Sequence, residues 1–89
     1  TPLIDAQQRY LKRDETVEDY FQDKMRLLRQ TKLSDEEMVQ QLTHGTPISW
    51  RMSLAAARPA DPHAWIEVAQ QIEACQKAQF RRQSTIKSH

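Results

Sequence analysis

The sequence predicts an all-α fold, a compact bundle of five short helices. Three observations carry that expectation. Helix breakers are scarce, with one glycine and four prolines in 89 residues, and β-branched runs are few. Apolar residues recur at helical spacing rather than alternating. Each candidate segment also opens on a capping residue or a proline.

The elements follow in chain order. Thr1-Pro2 offers an N-cap and an N1 proline, and Leu3, Ile4, Gln7, Tyr10 and Leu11 trace a stripe to about Leu11. Lys12-Arg13-Asp14 breaks that pattern. Thr16 caps a second helix running to about Gln30, with Glu18 and Asp19 near its positive end and Arg26 and Arg29 near its negative end. Ser34-Asp35-Glu36-Glu37 is a full capping box and opens a third helix of about ten residues. His44-Gly45 closes it, with the glycine free to take the left-handed conformation.

Thr46-Pro47 starts the fourth helix, which must stop before Pro59 because a proline disfavours helical geometry in the residue ahead of it. Ile48, Trp50, Met52, Leu54 and Ala55 to Ala57 make this helix apolar nearly all round, the signature of a central element. Asp61-Pro62 starts the fifth, whose buried stripe is Trp65, Val68, Ala69, Ile72 and Cys75. The pattern fades from Lys77. The expected organisation is a helical domain over residues 1–76 and a basic, flexible tail over residues 77–89, frayed from Ser84 onward.

Size and charge bound the function. A chain of 89 residues suits one domain, and such a domain buries roughly 60–65% of its unfolded surface. Its stability is then modest, and a partner that covers further apolar surface helps. Formal charges nearly cancel at +1. They are unevenly placed, however: eight of the twelve acids lie from Asp14 to Glu37, and none follows Glu73. The lone Cys75 excludes an internal disulfide and fits a reducing, cytoplasmic setting. No apolar run reaches the length of a membrane span, and a chain that opens on Thr1 is expected to be a segment of a longer protein.

Chemistry is not expected. His44, His63, Cys75 and His89 lack zinc-ligand spacing, so no metal site is predicted. No serine has an elbow or triad context, the acids read as capping or solvent-face residues, and no glycine-rich loop could cradle a phosphate. The expectation is a non-enzymatic protein without a cofactor.

Glu15-Thr16-Val17-Glu18-Asp19-Tyr20, followed by Lys24 and Leu27-Leu28-Arg29, resembles the major homology region of Gag capsid proteins. The order downstream also matches: Leu33-Ser34-Asp35-Glu36-Glu37, a short helix, Gly45 with Pro47, a helix with Trp50-Arg51, then Arg58-Pro59 and a last helix. Over roughly Leu3 to Gln76 the chain is similar to the capsid C-terminal domain of gypsy-type retrotransposon Gag and to the C-lobe of domesticated Arc-like proteins. The family often has Gln where this chain has Leu11, and Gly-Leu-Pro where it has Gly45-Thr46-Pro47.

The resemblance implies a structural brace formed by Glu15, Val17, Tyr20, Lys24, Leu27 and Leu28. Tyr20 is expected to combine apolar packing with a hydrogen bond. Lys24 falls on the same face, its stem along the core and its ammonium at an acid or a helix-end carbonyl. The resemblance also implies homodimerisation and higher-order assembly into a virus-like shell. The expected two-fold contact uses Leu3, Ile4, Gln7, Met38 and Gln41 on helices one and three; the alternative is that these side chains belong to the core. RNA is expected to bind outside this segment, or weakly through Lys77, Arg81, Arg82 and Lys87. The competing functional reading is a helical adaptor that takes a partner peptide or helix in a groove, including a SCAN-like dimerisation domain.

Overall fold

The computed structural model describes the backbone of residues 1–87 and the side chains of residues 1–78. Among the described residues there are five helices and no strand: α1 (Pro2–Gln7), α2 (Val17–Leu28), α3 (Asp35–His44), α4 (Ile48–Ala57) and α5 (Pro62–Lys87). The all-α class read from the sequence is the class observed.

Local chemistry sets the starts. The Asp19 N–H donates to the Thr16 hydroxyl at 3.2 Å, and Ser34 and Glu37 form the reciprocal capping box. The Ala64 N–H donates to the Asp61 carboxylate at 2.8 Å, which caps α5. Helix α4 has no side-chain cap; Pro47 precedes it, and its fixed φ suits a helix entry.

The core is one cluster. Ala6, Val17, Tyr20, Met25, Leu28, Leu42, Trp50, Leu54, Trp65 and Ala69 are buried, so every helix contributes at least one residue. Trp65 lies at the centre with no exposed surface, stacked on Phe21 at 6.1 Å and tilted against Tyr20 at 6.3 Å. Its indole N–H donates to the Thr43 hydroxyl at 3.0 Å. The Trp50 indole N–H donates to the Gln76 side-chain oxygen at 2.9 Å. Both tryptophans thus bury their rings and satisfy their one donor.

Cys75, expected in the buried stripe of α5, is exposed, and four further expectations are corrected. First, α1 stops at Gln7 rather than near Leu11. The segment after it is recruited in a different way: the Leu11 N–H donates to the Gly45 carbonyl at 2.9 Å, a bond that no helical residue 11 could make. Second, Gly45 does not adopt the left-handed conformation; its φ is −84°. Third, α4 is not central. Trp50 and Leu54 turn inward, while Ile48 and Met52 are 73% and 74% exposed, so its all-round apolar character includes a free face. Fourth, the expected flexible tail is helical as far as Lys87, and residues 88–89 lie outside the described part. Lys77 to Lys87 has no glycine or proline, and adding residues to an existing helix is far easier than starting one. The molecule is accordingly long, 53 × 23 × 18 Å, because 26 helical residues span roughly 39 Å.

Candidate functional site

The resemblance draws attention to the junction of the α1–α2 connection, α2 and the end of α3. Three residues of α2 meet there. Val17, Tyr20 and Lys24 recur at helical spacing, and each has no exposed surface. Leu28 continues that face and is also fully buried; Leu27 is half-buried against the same core.

Tyr20 donates its hydroxyl to the Leu42 carbonyl at 2.8 Å. That carbonyl lies in the last turn of α3, where intrahelical partners run out. Lys24 extends past the Tyr20 ring, with its amine 5.4 Å from the ring centroid, and donates to the Arg9 carbonyl at 3.1 Å. Gly45 closes the space. A Cβ there would stand 2.7 Å from the Arg9 carbonyl oxygen and 2.8 Å from the Lys24 amine, and would collide with the Tyr20 hydroxyl. Volume, not backbone freedom, is what requires glycine.

Arg9 completes the arrangement. Its guanidinium meets Glu15 with two parallel N–H donors, one at 3.0 Å. A third donor reaches Asp23 at 2.6 Å, and another bond goes to the Tyr10 carbonyl at 2.6 Å. The guanidinium also lies over the Tyr20 ring at 5.5 Å. Glu15 accepts in addition from the Lys12 N–H at 3.2 Å. The result is an Arg9–Glu15–Asp23 cluster whose guanidinium lies over Tyr20, with the Lys24 amine at a similar distance from the same ring.

The titration behaviour follows from this geometry. The hydrogen bonds from Arg9 hold the Glu15 and Asp23 carboxyls below their ordinary range, and Arg26 adds to the effect at Asp23. Bonding to Glu15 keeps the Arg9 guanidinium charged more firmly than usual. Burial raises the Tyr20 phenol. Burial, with the nearby Arg9 charge, lowers the Lys24 ammonium to about 8. Among the described residues Lys24 has no carboxylate partner, and having no exposed surface it offers no amine to a substrate. Among the described residues no three His, Cys, Asp or Glu side chains group as a metal site. The cluster is built to hold backbone segments together.

Among the brace residues expected from the sequence, Glu15, Tyr20 and Lys24 take part in this junction, while Val17, Leu27 and Leu28 lie along the core side of α2. Sequence reasoning missed Arg9, Asp23 and the packing role of Gly45. Arg9 lies six residues before Glu15 and off the apolar stripe read from Leu3 to Leu11, so no spacing rule points to it. The Leu11 side chain has no part in the polar cluster; only its N–H does.

The expected dimer residues differ in exposure. Leu3 and Ile4 are 37% and 49% exposed, and Gln7 is exposed. Met38 is half-buried and packs against the core, so it is not the free contact residue expected; α3 turns it toward the bundle interior. Gln41 is half-buried, and its Oε1 is enclosed with no partner among the described residues. Gln7 and Gln41 do share one shallow depression with Tyr10 and His44. Lys77 is exposed and lies 3.9 Å from Glu73, while the side chains of Arg81, Arg82 and Lys87 lie outside the described residues.

No family model, curated protein or solved structure matches this chain. Among the described residues no helix is long and apolar enough to cross a membrane.

Proposed function

We propose that this chain is a structural self-assembly domain of a Gag-like capsid protein, homodimerising to link subunits of a virus-like shell. The observation that carries the reading is the α1–α3 face. Helix α1 has six residues, too few to be stable alone, and still leaves Leu3 and Ile4 largely uncovered. Tyr10 next to it is 51% exposed and tilted against His44 of α3 at 6.1 Å. A second copy laid across this face removes three apolar side chains from water on each side.

The buried brace supports the same reading, since it uses Glu15, Tyr20 and Lys24 from the segment that resembles the Gag major homology region. Such a domain acts without a chemical step, cofactor or metal. Weak contacts suffice, because a closed lattice repeats them by symmetry. The setting is intracellular, with release inside virus-like particles. RNA is engaged by regions outside this segment, or weakly by Lys77, Arg81, Arg82 and Lys87.

Light scattering across a concentration series tests the proposal. The parent chain's mass should rise from monomer toward dimer, and Ile4→Asp should hold it at monomer. A parent chain that stays monomeric at millimolar concentration overturns it and favours the adaptor reading. So does an Ile4→Asp variant that dimerises as the parent does.

A further inference from the structure

A second surface lies on the other side of α3. Helices α3 and α4 and the connection after α4 enclose an open groove of about 710 Å³. Its accessible apolar lining includes Val39, Ala55 and Pro59. Its charged rim includes Arg51 and Arg58 against the one carboxylate of Glu36. The volume is within the range of ligand-binding clefts, and the mixed lining is what such clefts use.

Two features set this groove apart from an accidental dent. Arg51 is held in place, donating to the Thr46 carbonyl at 3.1 Å and the His44 carbonyl at 2.7 Å. Arg58 has φ 49° and ψ 59°, and is the only non-glycine residue with positive φ among those described. Glycine or asparagine takes that conformation readily, whereas arginine pays for its Cβ. Strained backbone of this kind clusters at binding sites. Among the described residues neither arginine has an ion-pair partner.

We propose that the α3–α4 groove takes a peptide of a partner protein, with an aliphatic side chain laid on Val39, Ala55 and Pro59 and an adjacent carboxylate held by Arg58 and Arg51. Charge complementarity selects this occupant: two guanidinium groups against one acid leave the rim cationic, and a guanidinium matches a carboxylate with paired donors. The apolar lining supplies contact area, and the arginines set direction and register. The groove meets the α1–α3 face along α3, where Gln40 and His44 border both, while Arg58 and Pro59 lie on the groove side alone.

The test uses a displayed random library of peptides about twelve residues long, panned against the intact chain. Selected peptides should carry Asp or Glu beside Leu, Ile or Val. Amide NMR spectra should shift at Val39, Ala55 and Arg58. Arg58→Gly suits the backbone and keeps the fold, which a thermal melt checks, yet should weaken a selected peptide about tenfold. Changing the peptide's acid to its amide should weaken the parent to a similar degree and leave Arg58→Gly nearly unaffected. The proposal is overturned if no peptide is selected, if those selected lack acids, if the shifts map elsewhere, or if Arg58→Gly binds as the parent does. Concentration-dependent shifts of the groove amides in the free chain would make a second copy the occupant, and overturn it too.

Discussion

The ends of α3 and α4 use their residues in opposite ways. Helix α3 closes on Gly45, whose φ of −84° any residue can adopt. Helix α4 closes on Arg58, whose left-handed backbone is the one a glycine would take without strain. The first end is short of space and the second is short of conformational ease. Glycine at a helix end is therefore not evidence of a left-handed cap; the neighbours decide, and here they are Tyr20, Lys24 and Arg9.

The largest effect expected from this contrast is at Gly45. Gly45→Ala should destabilise the fold by about 3 kcal/mol, because the backbone of Arg9 cannot retreat without losing its bond to Lys24. Chemical denaturation measures this; a loss under about 0.5 kcal/mol would mean the junction can expand.

The next effect concerns pH. Folded Lys24 releases its proton near 8, against 10.5 for a free side chain, so between those values the unfolded chain holds more protons than the folded one. Stability should rise on the order of 2 kcal/mol from pH 8 to 10. Above that it should fall, because the unfolded chain can ionise its tyrosine while buried Tyr20 resists. At the acid end the lowered Glu15 and Asp23 carboxyls imply stability that is lost as pH drops through and below the ordinary carboxylate range. Lys24→Met should flatten the alkaline rise and leave the acid limb intact.

Smaller again, Glu15→Gln should cost about 1.5 kcal/mol by breaking the paired bond to half-buried Arg9. It should also reduce the loss of stability in acid. Smallest is Arg58→Gly, which should stabilise the chain by about 0.5 kcal/mol, relief of the left-handed arginine being partly offset by the freer unfolded chain. A destabilised Arg58→Gly would show that the Arg58 side chain holds the fold and is not free for a ligand.

The same contrast explains what could be read in advance. Caps are local chemistry, so Thr16, the Ser34–Glu37 box and Asp61 fixed three helix starts within a residue. The inward face of α2 was legible because Val17, Tyr20, Lys24 and Leu28 repeat with the helix. The odd lysine was expected at an acid or a helix-end carbonyl; it takes neither, and donates instead to the Arg9 carbonyl in the connection after α1. Less legible was anything decided by tertiary contact. Helix α1 ends early because Leu11 is needed by Gly45, thirty-four positions away in sequence. The free face of α4 could not be told from a buried one, since Ile48 and Met52 look no different in sequence from Trp50 and Leu54. Arg9 was invisible because pairing across a loop follows no period.

One bond has a consequence for how the chain matures. The first N–H of α2, on Val17, is accepted by the carboxylate of Glu73 at 2.7 Å. Trp50 is likewise completed by Gln76. Both partners sit midway along α5, so a nascent chain emerging from the ribosome cannot close its interior until the first half of that helix has been synthesised. Acquisition of structure should then be late and all-or-none, and a fragment cut short before Glu73 should remain a loose collapsed coil.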